Sequence, residues 1–279
     1  MQVTVLAMGG RITPTDECLK VFLHLAGGDA ARILILPTAC HDVLAVQEYA
    51  RGLEMLGVRY PPTILPVWER EQAEDRSLVR VLACASAVLI LGGDLNRLLA
   101  VVRGTRLHHA LWQAGAAGVV IGGISAGAAA LGTWVGGLEG ALRPSRWQPA
   151  LGVLPHTVIV PHFHRQGRLE ALLRITSRYP GWLGLGVDEA TGVIVCPSGL
   201  QGVGAGQVTL ITVVERDSAS EGDPWIVRLC AGQSLAWSAL PWLRQSQIRG
   251  WEMIRDEFSG RPLPPVAGST DVMFHLFQK

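Results

Sequence analysis

Lysine is almost absent from this chain, with only Lys20 and Lys279, and charged residues as a whole make up 17%. The 24 basic and 23 acidic residues leave a net charge of +1, which provides no field to hold nucleic acid or an anionic membrane surface. Cysteine is scarce and unpatterned: Cys18, Cys40, Cys84, Cys196 and Cys230 are widely spaced, odd in number and form no CxxC pair. That spacing argues against a disulfide framework and against a zinc site. Cys84 and Cys196 lie in apolar runs and read as small buried hydrophobes. No apolar stretch is both long enough and free enough of glycine and charge to span a membrane. No basic segment followed by an apolar one opens the chain, so no signal peptide is read and a cytoplasmic protein is expected.

What the chain has is apolar material, 49% of its 279 residues, enough for a large core. Short β-branched runs alternate with helical patterns. Strands are expected at 3–7, 33–36, 63–67, 87–91 and 118–121, the last ending at Gly122-Gly123. Helices are expected at 16–26 with Thr15 as N-cap, at 43–56, 95–102, 106–114 closed by Gly115, and from 126 to 131. Strands apolar on both faces, alternating with helices, indicate an α/β fold with a mostly parallel sheet sandwiched by helices. In the last third, runs at 184–188, 192–196, 202–205 and 207–214 with tight glycine turns read as antiparallel additions at the sheet edge. Residues 217–223 read as a polar loop and 244–279 as a surface tail, and no linker divides the chain, so 1–279 is expected to be one domain.

Gly123-Ile124-Ser125-Ala126-Gly127 matches the G-x-S-x-G elbow, and it lies between an apolar strand and an Ala-rich helical run, as the motif requires. Small neighbours let a serine occupy a strained strand-to-helix turn, and the helix behind it turns N–H groups toward a developing oxyanion. Ser125 is therefore the candidate nucleophile and the amide of Ala126 the first oxyanion donor. Gly92-Gly93-Asp94 follows another apolar strand, where open α/β sheets bind ligands, and Gly93 or Asp94 is a candidate for the second donor. A serine nucleophile needs a base and a group to orient it. His156, His162, His164 and His275 follow Ser125. His162 ends the run Thr157-Val158-Ile159-Val160, at the same kind of strand end as Ser125. Glu139 is the only acid between Ser125 and His162, and Asp188-Glu189 ends a later strand. Two orders stay open: Ser125, His162 and Glu189, which uses strand ends throughout, and Ser125, Asp188 or Glu189, and His275.

Gly92-Gly93-Asp94, Ile124-Ser125-Ala126-Gly127-Ala128, Leu151-Gly152-Val153-Leu154 followed by His162-Phe163 and Gly167-Arg168-Leu169, and Gly184 to Thr191 come in one order. Together they resemble the cyanophycinase and dipeptidase E family of serine peptidases, from the N-terminus to about Trp242. The resemblance implies a flavodoxin-like sandwich related to class I glutamine amidotransferases. It implies a triad of Ser125, His162 and Glu189, with Asp188 as the fallback acid. It also implies an oxyanion hole at Gly93, Asp94 and Ala126, and neither a metal nor an organic cofactor.

The chain also departs from that pattern. Leu95 stands where cyanophycinases carry Gln, Val160-Pro161 where they carry Asp-Gln, and Gln166 and Ala171 where they carry Arg, while Arg168 persists. The resemblance thus implies retained catalytic machinery with altered specificity, acting on a small peptide or isopeptide through an acyl-enzyme. Leu95, Asn96, Arg165 and Arg168 are the candidate substrate contacts, with Arg143 and Arg146 also placed to bind a carboxylate by bidentate geometry. Trp134 and Trp147 could wall a pocket or pack in the core. An esterase or amidase, or a binding protein on the same scaffold, is the alternative. The apolar stretch 235–243 is compatible with a homodimer.

Overall fold

The computed structural model describes residues 3–136, 147–213 and 224–240. Two sheets carry the fold. The larger has the parallel strands β1 (Val5–Met8), β2 (Ile33–Leu36), β3 (Thr63–Ile64), β4 (Ala87–Ile90) and β5 (Val120–Ile124). Between them run α1 (Glu17–Leu25), α2 (Val43–Met55), α3 (Ser77–Ala83), α4 (Leu95–Val102) and α5 (Arg106–Ala116), and α6 (Ala126–Ala130) follows β5. A small ribbon of β6 (Trp134–Val135) and β7 (Gln148–Pro149) comes next. β8 (Thr157–Pro161), α7 (Leu169–Arg178) and β9 (Leu183–Val187) lead to the hairpin of β10 (Thr191–Cys196) and β11 (Gly199–Gly204). β12 (Val208–Val213), β13 (Pro224–Leu229) and β14 (Ser234–Ala236) complete the described elements.

In the larger sheet the order is β14-β11-β10-β1-β5-β4-β2-β3, with β10, β11 and β14 added antiparallel beyond β1. Successive residues of the parallel strands feed opposite faces. Val5 and Ala7, Leu34 and Leu36, Val88 and Ile90 enter one core cluster. Leu6 and Met8, Ile33 and Ile35, Ala87 and Leu89 enter another beside Leu19, Phe22 and Leu53 of the covering helices. This period of two is why the strands are apolar throughout: both faces are buried. Each of the Val, Leu, Ile, Met and Phe side chains among them contributes about 1.5–3 kcal/mol when removed from water.

Several boundaries differ from the sequence expectation, each for a local reason. The stretch 184–188 is not an antiparallel edge addition. It is β9, which runs parallel to β8 in a second sheet, ordered β13-β12-β9-β8, packed on one side against the first core cluster and on the other against α7. β3 stops after Ile64 because Pro66 has no N–H to continue the ladder. Asp16, not Thr15, takes the N-cap position of α1, with extended backbone. α5 passes through Gly115 to Ala116, and β5 absorbs Gly122 and Gly123 before ending at Ile124. α3 has no counterpart in the expectation; the Asp75 carboxylate accepts the Ser77 N–H at 2.8 Å and starts it. Cys84 is exposed and Cys196 half-buried, contrary to their apolar neighbourhoods in sequence. The loop 217–223 and the tail 244–279 lie outside the described residues. Among the described residues no helix is long and apolar enough to cross a membrane.

Candidate active site

β1, β4 and β5 are parallel, so the segments that follow them emerge at one edge, and β8 and β9 deliver their own ends beside it. Ser125 leaves β5 with φ 51° and ψ −112°, a conformation that side-chain-bearing residues rarely adopt. Its amide donates to the Met8 carbonyl at 2.8 Å, tying the elbow to β1, and its own carbonyl accepts the Ala129 N–H at 2.9 Å. The glycines of the elbow answer to specific neighbours. A Cβ at Gly123 would stand 2.6 Å from the Gly127 carbonyl oxygen, and one at Gly127 would overlap the Ile90 carbonyl of β4.

The Ser125 hydroxyl donates to His162 Nε2 at 2.8 Å. His162 Nδ1–H donates to Glu189 Oε1 at 3.0 Å. A carboxylate only accepts, so the proton belongs on Nδ1 and leaves Nε2 to accept from serine. His162 itself has φ 51°, and its amide donates to the Gly9 carbonyl at 3.0 Å. A Cβ at Gly10 would overlap Cε1 of the His162 imidazole. The Ala190 amide donates to the Gly10 carbonyl at 2.9 Å, which draws the Glu189 turn onto the same loop. Among the described residues, Arg11 (49°) and Ala190 (50°) join Ser125 and His162 in holding positive φ at this edge, while His156 (50°) does so at the other end of β8.

Glu189 also meets two guanidinium groups. Arg165 Nη1 donates to Oε1 at 2.8 Å and Oε2 at 3.0 Å, and Arg11 Nε lies 3.3 Å from Oε2. Burial pushes the Glu189 carboxyl upward, but the hydrogen bonds from His162 and Arg165 and the charges of Arg11 and Arg165 hold it below the usual carboxylate range. The neighbouring Asp188 faces elsewhere. It accepts from His164 Nδ1 at 2.7 Å and from the amides of His164 and Gln207 at 3.1 and 3.2 Å. The fallback acid is therefore occupied away from His162.

Some sequence-derived assignments change at this point. Asp94 cannot donate to an oxyanion: its amide donates to the Ala39 carbonyl at 2.8 Å, and its carboxylate caps α4 through the Arg97 N–H at 3.1 Å. The amides of Gly93 and Ala126 have no backbone carbonyl as partner among the described residues. A Cβ at Gly92 would stand 3.1 Å from that of Ser125, so this turn borders the hydroxyl. α6 has only five residues, so any oxyanion stabilisation comes from single N–H groups rather than a long helix dipole. Arg165 reaches both carboxylate oxygens of Glu189. Arg168 Nη1 donates to the Pro161 carbonyl at 2.8 Å, pinning the end of β8 beside His162; burial lowers its pKa. Arg168 takes the N-cap position of α7, which begins at Leu169.

Leu95 is half-buried and packs against the first core cluster, and Asn96 Oδ1 accepts from Gln148 Nε2 at 2.8 Å. Arg97, which the sequence reading passes over, donates to His41 Nδ1 at 2.6 Å and lies over the Trp68 ring, 5.8 Å from its centroid. No carboxylate pairs with Arg97 among the described residues. Trp134 and Trp147 pack against the cluster of Val158, Val160 and Phe163. His156 sits at the other end of β8, edge-on to Trp182. Glu139, Arg143, Arg146, His275 and residues 241–243 lie outside the described residues. The Gly9-Gly10 pair was also detectable in principle, as glycines directly after the first strand.

Comparison with known proteins places this geometry in context. Residues 5–203 match peptidase family S51. The chain is 32% identical to a cyanophycinase from Nostoc sp. over 231 residues, covering 79% of this chain and 77% of that protein. It is also 32% identical over 222 residues to the cyanophycinase of Geminocystis herdmanii, covering 76% and 81%. Its fold is similar to a crystal structure of a peptidase from an acI-B1 Actinobacterium, with a TM-score of 0.67 and 22% identity over 85% of this chain and 97% of the other. A putative peptidase E protein from Listeria monocytogenes EGD-e matches at a TM-score of 0.52 and 15% identity, over 74% and 100% of the two chains.

Proposed function

The chain belongs to peptidase family S51, and from that premise we propose that Ser125, His162 and Glu189 are the triad with which this serine peptidase cleaves small peptides or isopeptides. The observation that carries the reading is the continuous relay from Ser125 Oγ through His162 at 2.8 Å to Glu189 at 3.0 Å. Ser125 Oγ attacks the scissile carbonyl carbon as its proton passes to His162 Nε2. Glu189 stabilises the imidazolium through Nδ1–H. The amides of Ala126 and Gly93 hold the oxyanion. His162 then gives its proton to the departing amine as the carbon–nitrogen bond breaks. Water, deprotonated by the same imidazole, releases the acyl group from Ser125 and restores the hydroxyl.

Substrate recognition falls to the rim made by Leu95, Asn96 and Arg97. Arg165 and Arg168 already serve the chain's own carboxylate and carbonyl. Arg97 has no acid against it among the described residues, and its guanidinium suits a substrate carboxylate. The cyanophycinases act as relatives in machinery; the departures at Leu95, Pro161 and Gln166 support a different peptide as substrate.

Labelling with an alkyl fluorophosphonate, read by intact mass, tests the nucleophile. A single adduct on the wild type and none on Ser125→Ala is the expected result. An unlabelled wild type, or a labelled Ser125→Ala, would overturn the assignment. Peptide-library cleavage by the same two proteins then defines the substrate.

A further inference from the structure

We propose that Arg11 and Arg165 form a guanidinium clamp that fixes the Glu189 carboxylate for His162, so that both are positioning residues for the hydrolysis proposed above, on which this inference rests. The clamp closes from two separate parts of the chain. Arg11 lies on the loop after β1 and Arg165 on the segment after β8. Oε1 of Glu189 accepts from His162 and Arg165, and Oε2 faces Arg165 and Arg11, with all four contacts between 2.8 and 3.3 Å. A carboxylate offers about four acceptor sites, so this one has none to spare. Rotating it to leave His162 would break bonds to the arginines as well.

The charges show what the two arginines add. The groups facing Glu189 are His162, Arg11 and Arg165, while Asp188 is paired with His164 on the other side of the turn. When His162 becomes an imidazolium during turnover, it needs an ionised carboxylate at fixed range. The two guanidinium groups keep Glu189 ionised and share its lone pairs, so the carboxylate neither takes the proton from Nδ1 nor follows the ring. Both arginine side chains are more than half exposed, at 64% and 53%, whereas the carboxylate they hold is 20% exposed. Their exposure also makes them open to the opposite reading, in which they bind a substrate carboxylate.

A neutral probe separates the two. The alkyl fluorophosphonate carries no carboxylate, so its rate of reaction with Ser125 reports the relay and not recognition. In the full chain, Arg11→Ala/Arg165→Ala is expected to slow labelling by about 10²-fold, the scale of a misplaced catalytic group. The acidic limb of its pH–rate profile is expected to move to higher pH, because Glu189 then takes a proton more readily. Arg11→Lys/Arg165→Lys restores the charge and should return that limb toward its original position. Thermal unfolding of each variant establishes that it is folded; if the double variant is not, the single variants Arg11→Ala and Arg165→Ala carry the same test. An unchanged labelling rate and pH profile would overturn the clamp. So would unchanged labelling with a raised KM for an acidic peptide, which would assign the arginines to substrate. A wild type that does not label overturns the nucleophile and the clamp together, whereas a labelled wild type with unaffected variants overturns the clamp alone.

Discussion

The imidazole of His162 rests on the α-carbon of Gly10, so closely that a Cβ there would stand 2.6 Å from Nε2. Gly10 also has φ 121°, which side-chain-bearing residues rarely adopt. Gly10→Ala therefore has to move the ring that Ser125 donates to. Turnover is expected to fall by about 10²-fold, with a loss of roughly 1–3 kcal/mol of stability from the forced backbone. Steady-state kinetics and a denaturant titration check both. Unchanged kinetics would mean that the ring shifts freely and is not held by this loop.

Glu189 and Asp188 are adjacent but serve different histidines, at 3.0 Å for His162 and 2.7 Å for His164. Glu189→Gln is expected to lower kcat by about 10²–10⁴-fold, as removal of a triad acid does elsewhere. Asp188→Asn, which can still accept from the Gln207 amide, should leave kcat within about twofold while costing up to about 1–3 kcal/mol in the lost partner of His164. Reversed effects would give the acid role to Asp188.

The backbone of Ser125 holds a conformation that is strained for a residue with a side chain. Glycine adopts φ 51° and ψ −112° without penalty. Ser125→Gly removes strain worth about 1–3 kcal/mol and adds back roughly 0.5–1 kcal/mol of unfolded-state entropy. The variant should be inactive yet more stable by about 1 kcal/mol. A melting temperature below that of the wild type would show that the elbow is not under strain.

The Arg97 guanidinium has a histidine and an indole as neighbours. Losing a charge-assisted hydrogen bond costs about 1.5–3 kcal/mol, or roughly 10–100-fold. Arg97→Ala should raise KM for an acidic peptide by that factor and leave kcat and neutral peptides alone. Equal losses on acidic and neutral peptides would remove Arg97 from recognition.

His108 makes stability depend on pH far from the site. It is buried, and burial pushes its pKa down to about 4 although the Leu151 carbonyl favours the proton on Nε2. Its Nδ1 accepts the Gly104 N–H at 3.0 Å, an arrangement that a second proton would break. The unfolded imidazole takes that proton near pH 6.5, so native stability is full above about 6.5 and declines as the pH falls toward about 4, by up to about 3 kcal/mol. His108→Gln can donate to Leu151 and accept from Gly104 without titrating. Denaturant titrations at several pH values should show the decline in the wild type and a shallower slope in the variant. Parallel slopes would exclude His108 as the source.

Much of the parallel sheet was legible because its signals are local. Fully apolar runs such as Ala87–Ile90 are buried on both faces, and a strand so placed has few alternatives. The second sheet was not legible. β9 looks like any Gly-rich strand, and its parallel pairing with β8 depends on α7 crossing between them. Leu183–Val187 and Thr191–Cys196 are separated by a short turn yet belong to different sheets, a division set by what packs above each.

The elbow could be read from local sequence, because its requirements lie within a few residues. The strand, the strained serine and the small neighbours are all written between Val120 and Ala130. How the other charged groups divide their work follows from long-range packing. Consecutive side chains on a tight turn point apart, and their partners at Arg11, His162, Arg165 and Gln207 come from loops brought together by the folding of two sheets. Which carboxylate meets His162, and whether an arginine faces substrate or an internal acid, depends on distances between segments far apart in the chain, and those are fixed by packing rather than by local pattern.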